Sequence, residues 1–394
     1  MKIEKTHFRT ALLAFFLLLL SGTKGYANMQ LNPEYRAHID STLNMSFLTC
    51  GPGDEAYSLY GHTALHVIDR SKDLDVAVNW GIFDFNAPNF VARFVFGLTD
   101  YLIGIYPFES FLREYREDGR WVKEQQLNLT AEEKLRIMDA IDVNYRPENR
   151  VYRYNYFYDN CTTRARDMIV DHLDGKVVYE GTTDEGPTFR ELVHQYCAHQ
   201  PWARFGNDML LGVQADFKTT TKERQFLPCE TMNDLNRAVI DGKRHLVSGT
   251  TTLVDIPTNP GESNFPLSPH ACAYILLGFV IAFTISEIMT RKDCRWLDAI
   301  LMLLCGLSGI ILFLMLFSQH PTVRINFQLL LLNPLPLFFI WPMLRKKCGW
   351  QYKMWIVLIC LFFICSIWQT YAEGMLIVAS SLLIRNIKRL KSEK

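Results

Sequence analysis

The last third of the chain limits most strongly what it can fold into. From His270 onward five apolar segments follow one another, at about Ala271–Met289, Leu297–Phe317, Leu329–Leu344, Met354–Trp368 and Gly374–Ile387. A helix needs about 20 apolar residues to cross a bilayer, where no water satisfies its backbone. The segments predict an all-α transmembrane domain of about five helices, residues 263–394, the fifth being the shortest. Their connections orient it. Arg291, Lys292 and Arg295 fill the first, Arg345, Lys346, Lys347 and Lys353 the third, and Arg385, Lys388, Arg389, Lys391 and Lys394 the tail. The second connection carries only Arg324, and the fourth, around Glu373, has no basic residue. Basic connections stay cytoplasmic, so everything before Ala271 is expected on the outer face.

The N-terminus predicts the same side. Lys2, Lys5 and Arg9 precede the apolar Ala11–Leu20, then Ser21, Gly22 and the small-residue exit Gly25-Tyr26-Ala27. That run is too short to span, so residues 1–27 read as a signal peptide. Residues 28–262 are then an exported α+β domain, and the mean hydropathy of +0.02 averages two unlike parts. Lys and Arg together number 41, as do Asp and Glu, and neither a basic stripe nor a Gly-rich phosphate loop is present. No nucleic-acid partner is expected.

Within the exported domain the stretch Tyr154–Arg166 is the most telling. Upstream, Tyr152, Tyr154, Tyr156 and Tyr158 alternate with Arg153, Asn155 and Phe157 as in a strand. From Cys161 the period becomes helical, through Ala165, Met168, Ile169 and Leu173, with Asp159 or Asn160 able to cap the first turn and Gly175 to end the helix. Unpaired N–H groups and the dipole at a helix N-terminus favour a thiolate and can donate to an oxyanion. Cys161 is therefore a candidate nucleophile, against the alternative of a small buried residue at a strand-to-helix junction. The other exported cysteines are Cys50, Cys197 and Cys229. A Cys197–Cys229 disulfide would leave Cys161 free, but spacing does not fix connectivity. No CxxC pair or His/Cys ligand spacing is present, so no metal and no cofactor is expected.

A thiol nucleophile needs a base. The chain has ten histidines, so context must choose among them. His62 follows Gly61 and opens an apolar strand; Asp69–Asp73 reads as a turn and Leu74–Trp80 as the returning strand. A hairpin pivoting near Ser71 sets position 62 opposite 79 or 80, within reach of Asn79. The set is then Cys161 as nucleophile, His62 as general base and acid, and Asn79 holding the ring tautomer. His66 on the same strand face is the competing base, and Asp84 an alternative orienter.

Gly61-His62, a polar residue on the next strand, and Asn160-Cys161 at a helix start resemble circularly permuted papain-like enzymes, the group of NlpC-type hydrolases and lecithin:retinol acyltransferase-like proteins. More specifically, Leu48-Thr49-Cys50-Gly51-Pro52-Gly53-Asp54, Tyr60-Gly61-His62-Thr63, Asn79-Trp80-Gly81, Pro107-Phe108, Tyr154-Asn155-Tyr156, Asp159 to Arg164, Phe226-Leu227-Pro228 after Gly206 to Asp216, and His320-Pro321 through Asn333-Pro334 resemble the Lnb family. The resemblance implies a permuted papain-like (NlpC-like) periplasmic domain followed by a multi-helix domain in the bacterial inner membrane. It further implies a lipoprotein N-acyltransferase that moves an acyl chain from a phospholipid donor, through a Cys161 thioester, to the N-terminal amine of a diacylglyceryl lipoprotein acceptor. A membrane-anchored cysteine peptidase of the NlpC type and a non-catalytic lipid- or lipoprotein-binding protein are the rivals. The remaining segments stay open. Phe90–Tyr106 packs the core or dips into the membrane surface, Thr130–Ile141 reads as a capped surface helix, and His320, Arg324 and Asn333 anchor helices or meet a headgroup. Asp208, Asp216 and Arg164 are headgroup or amine contacts only by resemblance.

Overall fold

The structure is a computed structural model that describes residues 32–392 apart from 56–57, 84–87, 90–91, 94–95, 258–264 and 347–348. The expected signal peptide, Asp84 and Cys348 lie outside the described residues. The chain builds an α+β domain and then a helical one.

The first domain is organised by an antiparallel sheet. Its strands are β1 (Leu43–Cys50), β2 (His62–Asp69), β3 (Leu74–Ile82), β4 (Asp100–Pro107), β5 (Val122–Leu127) and β6 (Val151–Arg153), and a small second sheet follows with β7 (Val177–Tyr179), β8 (Ala238–Ile240) and β9 (Arg244–His245). Strand β10 (Val247–Val254) returns to the main sheet, whose order is β10-β5-β1-β2-β3-β4-β6. Strands β1 to β3 are apolar on both faces because both are covered. One face, with Phe47, Leu65, Val67, Val78 and Trp80, packs against Ile137 and Ile141 of the helix Ala131–Tyr145 and Ala165 and Ile169 of the helix Cys161–Val170. The other, with Leu48, Ala64 and Ala77, packs against Phe111, Leu112 and Tyr115 of the helix Phe108–Glu117.

Local reading and structure differ in three places. The tyrosine run is not one strand: β6 ends at Arg153, because the Asn155 side chain accepts from the N–H groups of Phe157 and Tyr158 and folds the chain into a turn. The helix from Cys161 ends at Val170, five residues before Gly175. The Thr130 capping box forms as expected, but the helix is not a surface one: Glu133 is fully buried and pairs with Arg244.

In the second domain each of the five apolar segments holds a helix: Pro269–Thr290, Arg295–Met315, Leu335–Leu344, Trp350–Cys365 and Met375–Ser392. Among the described residues three segments, Pro269–Thr290, Arg295–Met315 and Pro321–Leu344, are long and apolar enough to cross a membrane. The third begins as two short 3-10 turns, Pro321–Val323 and Phe327–Leu330, before its helix. Small residues let this segment approach its neighbour: a Cβ on Gly306 would strike Leu337, and one on Gly309 would lie 2.3 Å from the Asn333 backbone. The tail arginines are not solvated. Arg385 and Arg389 are buried and paired with Glu287 and Asp298 on the first two helices.

Candidate active site

Cys161 is the first residue of its helix, and Asn160 is the cap. The Asn160 side chain accepts from the N–H groups of Thr162 and Thr163, each at 2.9 Å, and its amide donates to the carbonyls of Tyr156 and Phe226. Of the two caps open from sequence, Asp159 is taken instead by Arg164 at 2.6 Å. The helix sits on β2 and β3, where Thr63 and Thr162 share a hydroxyl hydrogen bond of 3.0 Å. Its N-terminus thus comes to the end of the sheet at which His62 begins β2.

Two glycines make room. Gly61 has φ +80, and a Cβ there would lie 2.6 Å from the Cys50 carbonyl oxygen, so the turn into His62 needs glycine. Gly81 has φ +98; a Cβ on it would stand 3.5 Å from Cys161 Cβ and 3.7 Å from His62 Cε1. These distances bracket the pair. His62 Nε2 donates to Asn79 Oδ1 at 2.6 Å, which leaves Nδ1 for the hydrogen bond that the ring shares with Cys161. The β2–β3 register sets Asn79 opposite Ala64, two positions from the pairing expected of the hairpin. Asn79 is then a diagonal neighbour of His62 on the same face, and diagonal neighbours remain within reach of long side chains.

The electrostatics follow from this packing. Burial pushes the Cys161 thiol up, but the charge and hydrogen bond of His62, the Thr63 N–H and the Thr162 hydroxyl, with Oγ1 3.8 Å from Sγ, together hold it below the ordinary thiol range. Burial likewise pulls His62 down, and the Cys161 charge and hydrogen bond, helped by Asn79, outweigh it and hold the ring above the ordinary histidine range. Each partner thus favours the charged form of the other. By contrast burial alone dominates at Cys50, whose thiol is pushed up to about 12, which makes it inert.

Several of the alternative residues are engaged in other contacts. His66 Nδ1 lies 2.6 Å from Glu124 Oε1 and Nε2 2.8 Å from Asp75 Oδ1, and the ring stacks on Phe108; both nitrogens already have carboxylate partners. Cys197 and Cys229 are free thiols, Cys197 lying 3.3 Å from the Tyr60 hydroxyl. Asp208 and Asp216 are both held by the buried Arg190, at 2.7 and 2.8 Å, and Arg164 lies over the Tyr152 ring. Among the described residues no group of His, Cys, Asp or Glu has metal-binding geometry.

Cys161 and His62 open into a cavity of about 570 Å³, within the span of roughly 300–1,000 Å³ usual for ligand sites. Tyr101, Tyr154, Tyr156 and Phe226 of the first domain line it, together with Met315, His320, Thr322 and Val323 of the helical domain. Sequence reading missed Met315, Thr322 and Val323, which have no chemical signature of their own. His320 was visible only as a polar residue at the outer interface.

The comparisons with known proteins divide the chain where its composition does. The model of the Lnb N-terminal periplasmic domain matches residues 32–195, and that of the Lnb transmembrane domain matches residues 260–393. No curated protein and no solved structure matches.

Proposed function

Because the chain belongs to the Lnb family, as a membrane protein with a periplasmic N-terminal domain, we propose that it is a lipoprotein N-acyltransferase of the bacterial inner membrane. The observation that carries this reading is the Cys161, His62 and Asn79 set opening into a largely apolar cavity that the membrane domain helps to enclose. A cell-wall peptidase would use the same cysteine, but its polar substrate gives that enclosure no purpose.

The Cys161 thiolate attacks the carbonyl carbon of a phospholipid ester. A C–S bond forms, the C–O bond breaks, and the His62 imidazolium gives its proton to the departing alkoxide, releasing a lysophospholipid. The now neutral His62 takes the proton of the lipoprotein's N-terminal amine as its nitrogen attacks the thioester; a C–N bond forms and the thiolate leaves. Asn79 accepts from the ring's far N–H throughout and fixes its orientation. The Cys161 N–H, which the Asn160 cap does not take up, is the candidate donor to the oxyanion. No metal or cofactor enters either half. On this reading residues 28–262 lie outside the bilayer and 263–394 within it, so the ester chemistry falls just outside the membrane, where donor and acceptor are both anchored.

Incubation of the full-length protein with phospholipid vesicles should add the mass of one acyl chain, lost on hydroxylamine treatment and absent from Cys161→Ser. His62→Ala should slow its appearance about 10²–10⁴-fold. A wild-type protein whose Cys161 alkylates readily but never gains an acyl mass would defeat the proposal.

A further inference from the structure

The cavity next to Cys161 is lined in part by the membrane domain. We propose that Met315, Thr322 and Val323, with Leu210 and Leu211, form the seat of the donor's fatty acyl chain and set the chain length that Cys161 accepts. This deepens the acyl-transfer reading and rests on it.

Three observations carry the inference. The side chains that these residues turn to the cavity are mostly apolar, with Thr322 and the neighbouring His320 the polar ones, and Met315, Val323 and Leu211 are buried, which favours a hydrocarbon over a hydrated group. The space is continuous with Cys161 and His62, so these residues lie within the one cavity that an acyl chain on the thiol would occupy. Finally, the wall is held by backbone rather than by loose side chains. The Gly212 and Val213 N–H groups donate to the carbonyls of Thr322 and Ile325, both at 2.8 Å, and Gln319 N–H donates to Phe96 O at 3.0 Å. Buried amides complete the fastening: Gln328 donates to Asp208 O at 2.8 Å and Gln369 to Leu211 O at 3.1 Å. A wall that cannot yield measures what is pressed against it. Neither domain encloses this space alone, which gives the membrane helices a part in substrate choice as well as in anchoring.

The test presents full-length protein in detergent with an equimolar set of phosphatidylethanolamines bearing lauroyl, myristoyl, palmitoyl or stearoyl chains, and reads the thioester on Cys161 by intact mass. Val323→Phe should lower palmitoyl and stearoyl relative to lauroyl by roughly tenfold, the loss expected when two buried methylenes are excluded. Val323→Ala should move the profile toward longer chains, and it decides the question alone if Val323→Phe loses Cys161 alkylation and so its fold. An unchanged profile in Val323→Ala, with alkylation at the wild-type rate, overturns the proposal. So does a wild-type enzyme that takes a short water-soluble ester as readily as stearoyl, since a peptide or a small group would then be the occupant. If no donor of any length acylates Cys161, the acyl-transfer reading itself fails and this one with it.

Discussion

His62 lowers the pKa of Cys161 and Cys161 raises that of His62, and these two directions bound the pH window expected of the pair. A thiolate exists above the lowered Cys161 value, and the imidazolium needed to protonate an alkoxide exists below the raised His62 value. Alkylation of Cys161 by iodoacetamide is therefore expected to persist below the pH where an ordinary thiol stops reacting, near 8.5, and to fail only as pH falls through the Cys161 value. Acyl transfer should also fall as pH rises through the His62 value. Asn79→Ala removes a contact that stabilises the protonated ring, so it should shift the basic limb to lower pH and reduce kcat roughly tenfold or more. Alkylation and transfer profiles of one preparation check both limbs; an unmoved basic limb in Asn79→Ala would deny Asn79 its role. At this scale much was legible. A cysteine after a capping asparagine and a histidine after a glycine carry their signals locally, whereas the engagement of His66 needed Glu124, brought to it by a strand distant in sequence, besides Asp75 on the neighbouring strand of its hairpin.

The element that matters most is the helix that Cys161 begins, and Asn160 both caps and ties it. Its amide bridges Tyr156 and Phe226, so one side chain joins the preceding turn, the helix and the distant segment before Pro228. Asn160→Ala loses the cap and leaves two carbonyls short of a donor, for about 2 kcal/mol. Its Tm should drop, and Cys161 alkylation should slow even at temperatures where the protein stays folded, because the thiolate loses its fixed place at the helix end. Asn160→Asp keeps the cap but not the two donated bonds and should fall between. Equal alkylation in all three proteins would show that the cap does not position the thiol. Sequence patterns found the helix start because capping is a local code, and found the five apolar segments because length and hydropathy are local too. They misread the tyrosine run because alternation is satisfied equally by a strand and by rings that turn into a cavity. Tyr154 stacks on Tyr101 at 4.1 Å and Tyr156 meets Phe226 at 5.5 Å; tertiary packing, not strand pairing, spaced them.

For the molecule as a whole the decisive joint is where Leu210 to Val213 crosses against the 3-10 turns of the membrane domain. Nothing in the sequence marks it, since it is made of backbone groups and of amides such as Gln328 and Gln369 that look like any polar residue within apolar surroundings. Gly212 is its tightest point: an added Cβ would lie 2.2 Å from the Ile325 carbonyl oxygen and 3.3 Å from that of Thr322. Both obstacles are backbone, so they cannot swing aside, and Gly212→Ala must push the two domains apart. Overpacking of this kind costs about 1–3 kcal/mol. The reactive pair itself, with Asn79 and Asn160, lies wholly within the first domain, so a small water-soluble alkylating reagent should still modify Cys161 at nearly the wild-type rate. On the proposed function, acyl transfer from phospholipid uses the composite cavity and should fall about tenfold or more. The ratio of the two rates therefore separates damage at the joint from damage at the thiol. If Gly212→Ala lowers alkylation and transfer equally, the defect is general. If it leaves transfer unchanged, the joint does not hold the substrate's wall, and the membrane domain does no more than anchor its partner.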